Sequence, residues 1–256
     1  KVLNETMLAA GGPSTLLTTV SEPSIEIAQR LFTYPGIGLL VVTGGEGVVK
    51  AARKITDKRL MAAGAGNPPV VVDETADIPR AAKSIVYGAS FDNNIVCVDE
   101  KEIIAVDSIA GELKREMAAN GAAELTPDQA EQVAALILEN YPGPEAVINR
   151  KWVGRDAALI ASEIGLKVPP DTRLLFTETG KDHPFARLEL MMPVIPLIRV
   201  PHAKAAIDIA VELERGLCHT AAMHSKNIDH LDEMANRINT SIFVKNGPCL
   251  GGLGYG

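Results

Sequence analysis

The stretch TADIPRAAKSIVYGASFDNNIVCVDEKEIIAV, Thr75 to Val106, decides how this chain is read. Ile78, Ala81, Ala82, Ile85 and Val86 recur at helical spacing before Gly88, which predicts an amphipathic helix with one apolar stripe. Ile103-Ile104-Ala105-Val106 is a continuous apolar run of strand length. Between the two lies the polar run Ser90-Phe91-Asp92-Asn93-Asn94-Ile95-Val96-Cys97-Val98-Asp99-Glu100, so Cys97 stands on a helix-to-strand connection. Connections held by rigid elements often carry reactive groups. A cysteine is also a small hydrophobe that packs well in a core, so on its own it reads as packing more readily than as a nucleophile.

Downstream, helical patterns at Ile109 to Asn120, Pro127 to Glu139, Gly154 to Ile164, Ala203 to Glu214 and Ile228 to Ile238 alternate with strand-like runs. Those runs are Arg173 to Phe176, Val194 to Val200, Thr220 to His224 and Ser241 to Val244. A helix-length segment between most strands predicts an α/β fold with mostly parallel, helix-covered sheets. Asn140 to Pro144 reads as a surface turn.

Upstream, Val2, Leu3, Met7 and Leu8 suit a helix, Thr18-Thr19-Val20 a strand, Ser24 to Phe32 a helix capped by its serine, and Ile37 to Val42 a buried parallel strand. Thr43-Gly44-Gly45-Glu46-Gly47 then leads into the helical Val48 to Ala52. Strand, glycine turn and helix form a unit that can hold phosphate, because the helix start offers unpaired N–H donors. The run does not match G-x-G-x-x-G, and a plain tight turn accounts for it equally well. Leu60 to Pro69 is small, glycine- and proline-rich, and leads into the strand Val70 to Val72. It reads as a passage close to the backbone, as a connector between domains, or as both.

An apolar content of 46% supports a large core, and a net charge of −7 with no concentrated Lys/Arg face disfavours nucleic acid as a partner. Cys97, Cys218 and Cys249 stand singly, an odd number without C-x-x-C spacing, which argues against a disulfide framework or structural zinc and for a reducing, cytoplasmic setting. Leu190 to Ile198, the most apolar stretch, is interrupted by Pro193 and Pro196 and is too short to span a bilayer. No signal peptide is read, and the opening at Lys1 is read as part of a longer protein. His183 and His219 have no carboxylate at fixed spacing and read as structural, and Trp152 reads as an anchor or as a platform for an adenine ring.

Taken together, Cys97, Thr43-Gly44-Gly45, Gly64-Ala65-Gly66-Asn67-Pro68-Pro69 and Glu189-Leu190-Met191-Met192-Pro193-Val194 resemble the aldehyde dehydrogenase superfamily. The likeness is greatest to its CoA-acylating branch in ethanolamine and propanediol utilisation. It is carried by Gly64 to Asp77, Gly88 to Glu102, His183 to Pro193, His219 to Lys226 and Phe243 to Pro248, and spans essentially the whole chain.

The resemblance implies an aldehyde dehydrogenase-like fold. Residues 1–66 would be the C-terminal part of a dinucleotide-binding domain, and residues 67–256 a catalytic domain truncated before its C-terminal strands. Cys97 would be the nucleophile. Thr43, Gly44 and Gly45 would touch the NAD phosphates, Ala63 and Gly64 would line the cofactor's path, and Glu189 would hold the nicotinamide-side ribose. The main oxyanion asparagine would lie upstream of Lys1, although Asn93 and Asn94, or the Cys97 backbone N–H, are candidates from the residues themselves. Hydrolytic members keep a glutamate base where this chain has Ala63. Its absence favours coenzyme A over water as acyl acceptor, since a thiol ionises far more readily than water.

The implied activity is NAD-dependent oxidation of acetaldehyde to acetyl-CoA through a cysteine thiohemiacetal and thioester, in ethanolamine catabolism. The implied protein is a cytoplasmic homo-oligomer, inside a bacterial microcompartment, whose shell it would reach through a segment upstream of Lys1. A hydrolytic aldehyde dehydrogenase and an inactive nucleotide-binding or oligomerisation module are the alternatives.

Overall fold

A computed structural model describes residues 1–254, and Tyr255 and Gly256, the end of a glycine-rich run, lie outside the described residues. The chain divides into two compact units, one ending at Ala63 and the other beginning at Gly64. The domain boundary implied by the family resemblance lies after Gly66.

The first unit holds α1 (Val2–Ala9), α2 (Ile25–Thr33), β1 (Leu39–Thr43), α3 (Glu46–Ile55) and β2 (Arg59–Ala63). Ser24 caps α2 by accepting from the Ile27 N–H at 3.2 Å. The two strands run parallel, from the pair Leu39↔Arg59 to the pair Thr43↔Ala63. A right-handed crossover is the usual way to join such a pair, and α3 supplies the helix. Leu40, Val42 and Ala52 form a small core with Phe32, Ile37, Val49 and Leu60 packed around it.

Three expectations change here. Strand β1, expected to be buried, is buried only at Leu40 and Val42 and exposed at Leu39, Val41 and Thr43. Thr18 to Val20 is irregular, not a strand. The backbone just before it is tied to α1 instead, the Asn4 amide donating to the Leu17 carbonyl at 2.6 Å and accepting from the Leu17 N–H at 3.0 Å. Leu60 to Ala63, expected as the start of a connector, belong with Arg59 to a strand, because β1 offers a ladder that outweighs the weak strand propensity of the two alanines.

The second unit alternates strands and helices: β3 (Pro69–Val72), α4 (Ile78–Ala89), β4 (Glu102–Val106), α5 (Asp107–Ala119), β5 (Ala122–Glu124) and α6 (Pro127–Ile137). A short antiparallel pair follows, β6 (Leu138–Glu139) with β7 (Val147–Ile148), closing the Asn140 to Pro144 turn. Then come α7 (Ala157–Glu163), β8 (Leu174–Glu178), α8 (Pro184–Arg187), β9 (Val194–Val200), α9 (Ala203–Glu214), β10 (Thr220–His224), α10 (Ile228–Arg237) and β11 (Ile242–Lys245). Seven of the strands make one open, all-parallel sheet in the order β11-β10-β3-β4-β9-β8-β5.

Each face of that sheet is covered. Ile78, Ala81, Ala82, Ile85 and Val86 of α4 pack with Leu113 and Met117 of α5 against Val70, Ile103 and Phe176. On the opposite face Ala206, Ala210 and Leu213 of α9 and Met234 of α10 pack against Val71, Ile104 and Met223. Double coverage explains why β3 and β4 are buried at every residue and read as unbroken runs. A third cluster, with Trp152, Ile160, Leu175 and Phe185, lies under α6 and α7. Trp152 is buried there as an anchor, which removes it as an adenine platform. Among the described residues no helix is long and apolar enough to cross a membrane.

One helix position is set by the chemistry behind it. A Cβ on Gly88 of α4 would overlap the Glu100 carboxylate, which is fixed by the Cys249 N–H at 2.8 Å. Gly88→Ala gains about 1 kcal/mol of helix propensity but forces a buried carboxyl group to move, and overpacking of this kind typically costs about 1–3 kcal/mol, to which displacing the polar group adds. A net loss of about 2 kcal/mol is expected in urea unfolding; a variant as stable as the parent would show that Glu100 is free to move.

Candidate active site

α4 delivers the chain to Ser90, and Phe91–Asn94 forms a short 3₁₀ turn. Asp92, Asn93 and Asn94 have φ of 45°, 53° and 63°, three consecutive residues in the left-handed region. Aspartate and asparagine are the side-chain-bearing residues best suited to that conformation. Side chains then lock it. The Asn94 amide donates to the Ala89 and Glu100 carbonyls at 2.8 and 3.0 Å, and the Asn93 amide to the Gly154 carbonyl and Asp156 Oδ1 at 3.0 and 2.8 Å. Both amides are therefore committed to the loop. Of the two roles open to them, thiolate or oxyanion donor and loop fixture, the geometry supports the second.

Cys97 follows, half-buried, while Cys218 is exposed and Cys249 is fully buried. Gly66 is wedged against it: a Cβ there would stand 2.6 Å from the Cys97 carbonyl oxygen and 3.0 Å from Cγ of His219. Glycine is required at that position by the approach of two neighbours at once. The His219 ring contacts Thr220 Oγ1 through Nδ1 at 2.9 Å, and its backbone N–H donates to Glu214 Oε1 at 3.1 Å. Lys101, buried under the turn, donates from Nζ to the Asn94 carbonyl, Asn94 Oδ1 and the Val96 carbonyl at 2.8, 2.7 and 3.3 Å.

The electrostatics of this cluster are set by burial and by few charges. Burial pushes the Cys97 thiol up from its ordinary value, Glu189 adds to the rise, and its own backbone N–H and the Lys101 ammonium oppose it. Glu189 is half-buried and is itself raised by burial, with Lys101, the Gly66 backbone N–H and Arg215 acting against the rise. His219 is pushed down, chiefly by burial and then by Lys101, so its imidazole is neutral at pH 7. Burial raises Asp99 to about 7 and Glu100 to about 8.

The second unit thus brings Cys97, Gly66, Glu189, Lys101 and His219 together. The remaining sequence-derived positions fall elsewhere. In the first unit Thr43 and Ala63 end the two parallel strands side by side, with Gly44 and Gly45 leading into α3. Strand carboxyl ends next to a helix start are where open α/β sheets take ligands. No side chain of the described residues caps α3, and a Cβ on Gly45 or Gly47 would meet open space. The turn has room at Gly45 and Gly47, while the Gly44 N–H donates to the Ala63 carbonyl at 3.1 Å and the Val48 N–H to the Gly45 carbonyl at 2.9 Å. Gly64 opens the second unit and is likewise unobstructed. His183 is a cap for α8, accepting from the Phe185 N–H at 3.1 Å. Lys101 is the cation nearest Cys97 in sequence and reads as directed along a strand, and His219 reads as structural; the fold brings both to the cysteine.

An open parallel sheet covered by helices on both faces, with a half-buried cysteine on a helix-to-strand turn near a carboxylate and an imidazole, defines the class as an α/β protein. Comparison makes the assignment specific. The sequence model of the aldehyde dehydrogenase family matches residues 2–253, and the chain belongs to that family. It is 64% identical over 256 residues to the acetaldehyde dehydrogenase (acetylating) EutE of Salmonella typhimurium, covering 100% of this chain and 55% of that one. Among solved structures it superposes with a TM-score of 0.93 and 45% identity on propionaldehyde dehydrogenase of Rhodopseudomonas palustris with bound CoA and an acylated cysteine, covering 99% of this chain and 57% of that one. An engineered glycolyl-CoA reductase with bound NADP+ gives a TM-score of 0.93 and 44% identity over 99% of this chain and 56% of its own. The chain spans about half the length of the relatives it matches.

Proposed function

We propose that the protein to which this chain belongs is an acylating aldehyde dehydrogenase that oxidises acetaldehyde to acetyl-CoA with NAD, Cys97 being the nucleophile. The observation that carries this reading is Cys97 itself, a half-buried thiol on a locked turn with Glu189, Lys101 and His219 around it, in a chain so similar to an acetylating enzyme and to a structure with an acylated cysteine.

Ionised Cys97 attacks the aldehyde carbon and gives a thiohemiacetal, whose oxyanion the Cys97 backbone N–H would stabilise. The nicotinamide cofactor, when bound, supplies the hydride acceptor that turns this adduct into a thioester on Cys97. Thr43, Gly44 and Gly45, with the start of α3, would hold its phosphates, Ala63 and Gly64 would line its path, and Glu189 would hold the nicotinamide-side ribose. The CoA thiolate then attacks the thioester carbonyl and Cys97 leaves as thiolate. One thioester replaces another, so the transfer is nearly isoenergetic and reversible. Neutral His219 beside Gly66 is suited to take the proton of the CoA thiol. Ala63 provides no carboxylate to activate water.

The reading places the enzyme in ethanolamine catabolism, as a homo-oligomer in the cytoplasm or within a microcompartment. The test is NADH formation by the full-length protein with and without CoA. Sustained turnover is expected only with CoA, and a single burst stoichiometric with Cys97 without it. Many turnovers at full rate in the absence of CoA would identify a hydrolytic enzyme instead.

A further inference from the structure

Lys101 lies four positions beyond Cys97 in an acidic run, yet its side chain turns back beneath the loop, 3% exposed. An ammonium has three N–H donors and no acceptor. Lys101 has three oxygen partners: the Asn94 carbonyl at 2.8 Å, Asn94 Oδ1 at 2.7 Å and the Val96 carbonyl at 3.3 Å. A neutral amine would offer two hydrogens to three oxygens and aim its lone pair at the third, so this arrangement selects the charged form. No carboxylate of the described residues lies within 4.0 Å of Nζ as an ion-pair partner. The positive charge is therefore held by carbonyl dipoles and not cancelled by a touching anion.

We propose that Lys101 is the positioning residue of the nucleophile: its buried ammonium gathers the two carbonyls that precede Cys97 and the Asn94 side chain that braces the turn, and presents an uncancelled positive charge to the sulfur. The proposal rests on the reading of Cys97 as nucleophile. Two tasks are joined in one side chain. The backbone from Asn94 to Val96 is drawn toward a single point, which fixes the direction in which the next residue projects. The same charge opposes the burial, the Glu189 carboxylate and the Asp99 carboxyl that all disfavour the thiolate. Lys101 in turn feels Asp99, Glu189, Cys97 and Glu100, while Glu102 and His219 also sense its charge. Burial works against the ammonium, and the carbonyl triad is what retains it.

The test is the pH dependence of iodoacetamide alkylation at Cys97 in the full-length protein, resolved from Cys218 and Cys249 by peptide mapping, for the parent, Lys101→Met and Lys101→Gln. The glutamine can still donate to two of the three oxygens and keeps the test open should the methionine variant fold poorly. Removing this opposite charge is expected to raise the alkylation midpoint by about half a unit or more, so that labelling at pH 7 slows about threefold. Turnover should fall with it, through kcat more than through the KM for aldehyde. A lysine that acts only as a strut would change the limiting rate at high pH and leave the midpoint within about 0.3 units of the parent, and that result overturns the proposal. The outcome is separate from the functional reading. If Cys97→Ser were to keep its turnover, the reading of Cys97 would fail while the alkylation midpoint would still report what Lys101 does to the sulfur.

Discussion

Cys97→Ser is expected to lower CoA-dependent NADH formation by at least about 10⁴-fold, the usual scale for removing a covalent nucleophile. Oxygen for sulfur is a small change at a half-buried position, and the turn is held by other groups: Asn93, Asn94 and Lys101 hold the loop through carbonyls and side-chain amides. The fold should survive, with urea stability within about 1 kcal/mol of the parent. Chemistry is what fails, because a serine hydroxyl is far harder to ionise than a thiol and lacks its nucleophilicity. Cys218→Ser is the control: its sulfur accepts from the Asn239 amide at 3.3 Å in an exposed loop, and turnover should be unchanged. Steady-state NADH absorbance measures both. Residual activity above about a tenth in Cys97→Ser would require another nucleophile. Because the Cys97 thiol is raised, turnover in the parent should also climb as pH rises above neutrality.

The second large effect concerns stability. Glu100 is fully buried, with Oε1 on the Cys249 N–H and Oε2 without a partner among the described residues. Its carboxyl is pushed up to about 8 by burial, against an ordinary value of 4.5. Between those two values the folded protein holds a proton that the unfolded chain has released, so stability falls as pH rises across that window. At about 1.4 kcal/mol per unit, the fall from pH 5 to pH 8 is on the order of 3–4 kcal/mol for this group. Asp99, raised to about 7 by burial, acts in the same direction. Glu100→Gln keeps the shape and removes the titration. It should match the parent at pH 5, exceed it by about 2 kcal/mol or more at pH 8, and flatten the urea midpoint against pH. Equal slopes for the two proteins would mean that Glu100 is already ionised in the fold.

How much of this was legible in the sequence depends on whether the deciding interaction was local. The α4 stripe was, since Ile78, Ala81, Ala82, Ile85 and Val86 are all buried as their spacing implied, and β10 spans Thr220–His224 as its apolar run did. Strand β2 was not, because Arg59 to Ala63 becomes extended only by pairing with β1, and Thr18 to Val20 stayed irregular because no ladder meets it. At the site the family resemblance pointed to Cys97, Gly64 and Glu189, and local patterning placed Cys97 on its turn. The positions of Lys101 and His219 follow from how the Asn94 carbonyl faces inward and how β10 lies beside β3, which are properties of the tertiary structure. Read from the sequence, Lys101 is directed along the following strand, whereas its side chain turns back beneath the loop.

The left-handed run Asp92-Asn93-Asn94 bears on where reactivity resides. A short peptide copied from this segment would rarely adopt three such residues in succession, and nothing in it could supply Gly154, Asp156 or Gly66. Its thiol would behave as an ordinary one toward electrophiles. Covalent inhibitors should therefore be screened against the assembled enzyme, and selectivity sought in the surroundings of the sulfur, since a fragment selected for its affinity to the linear motif would be meeting a different object.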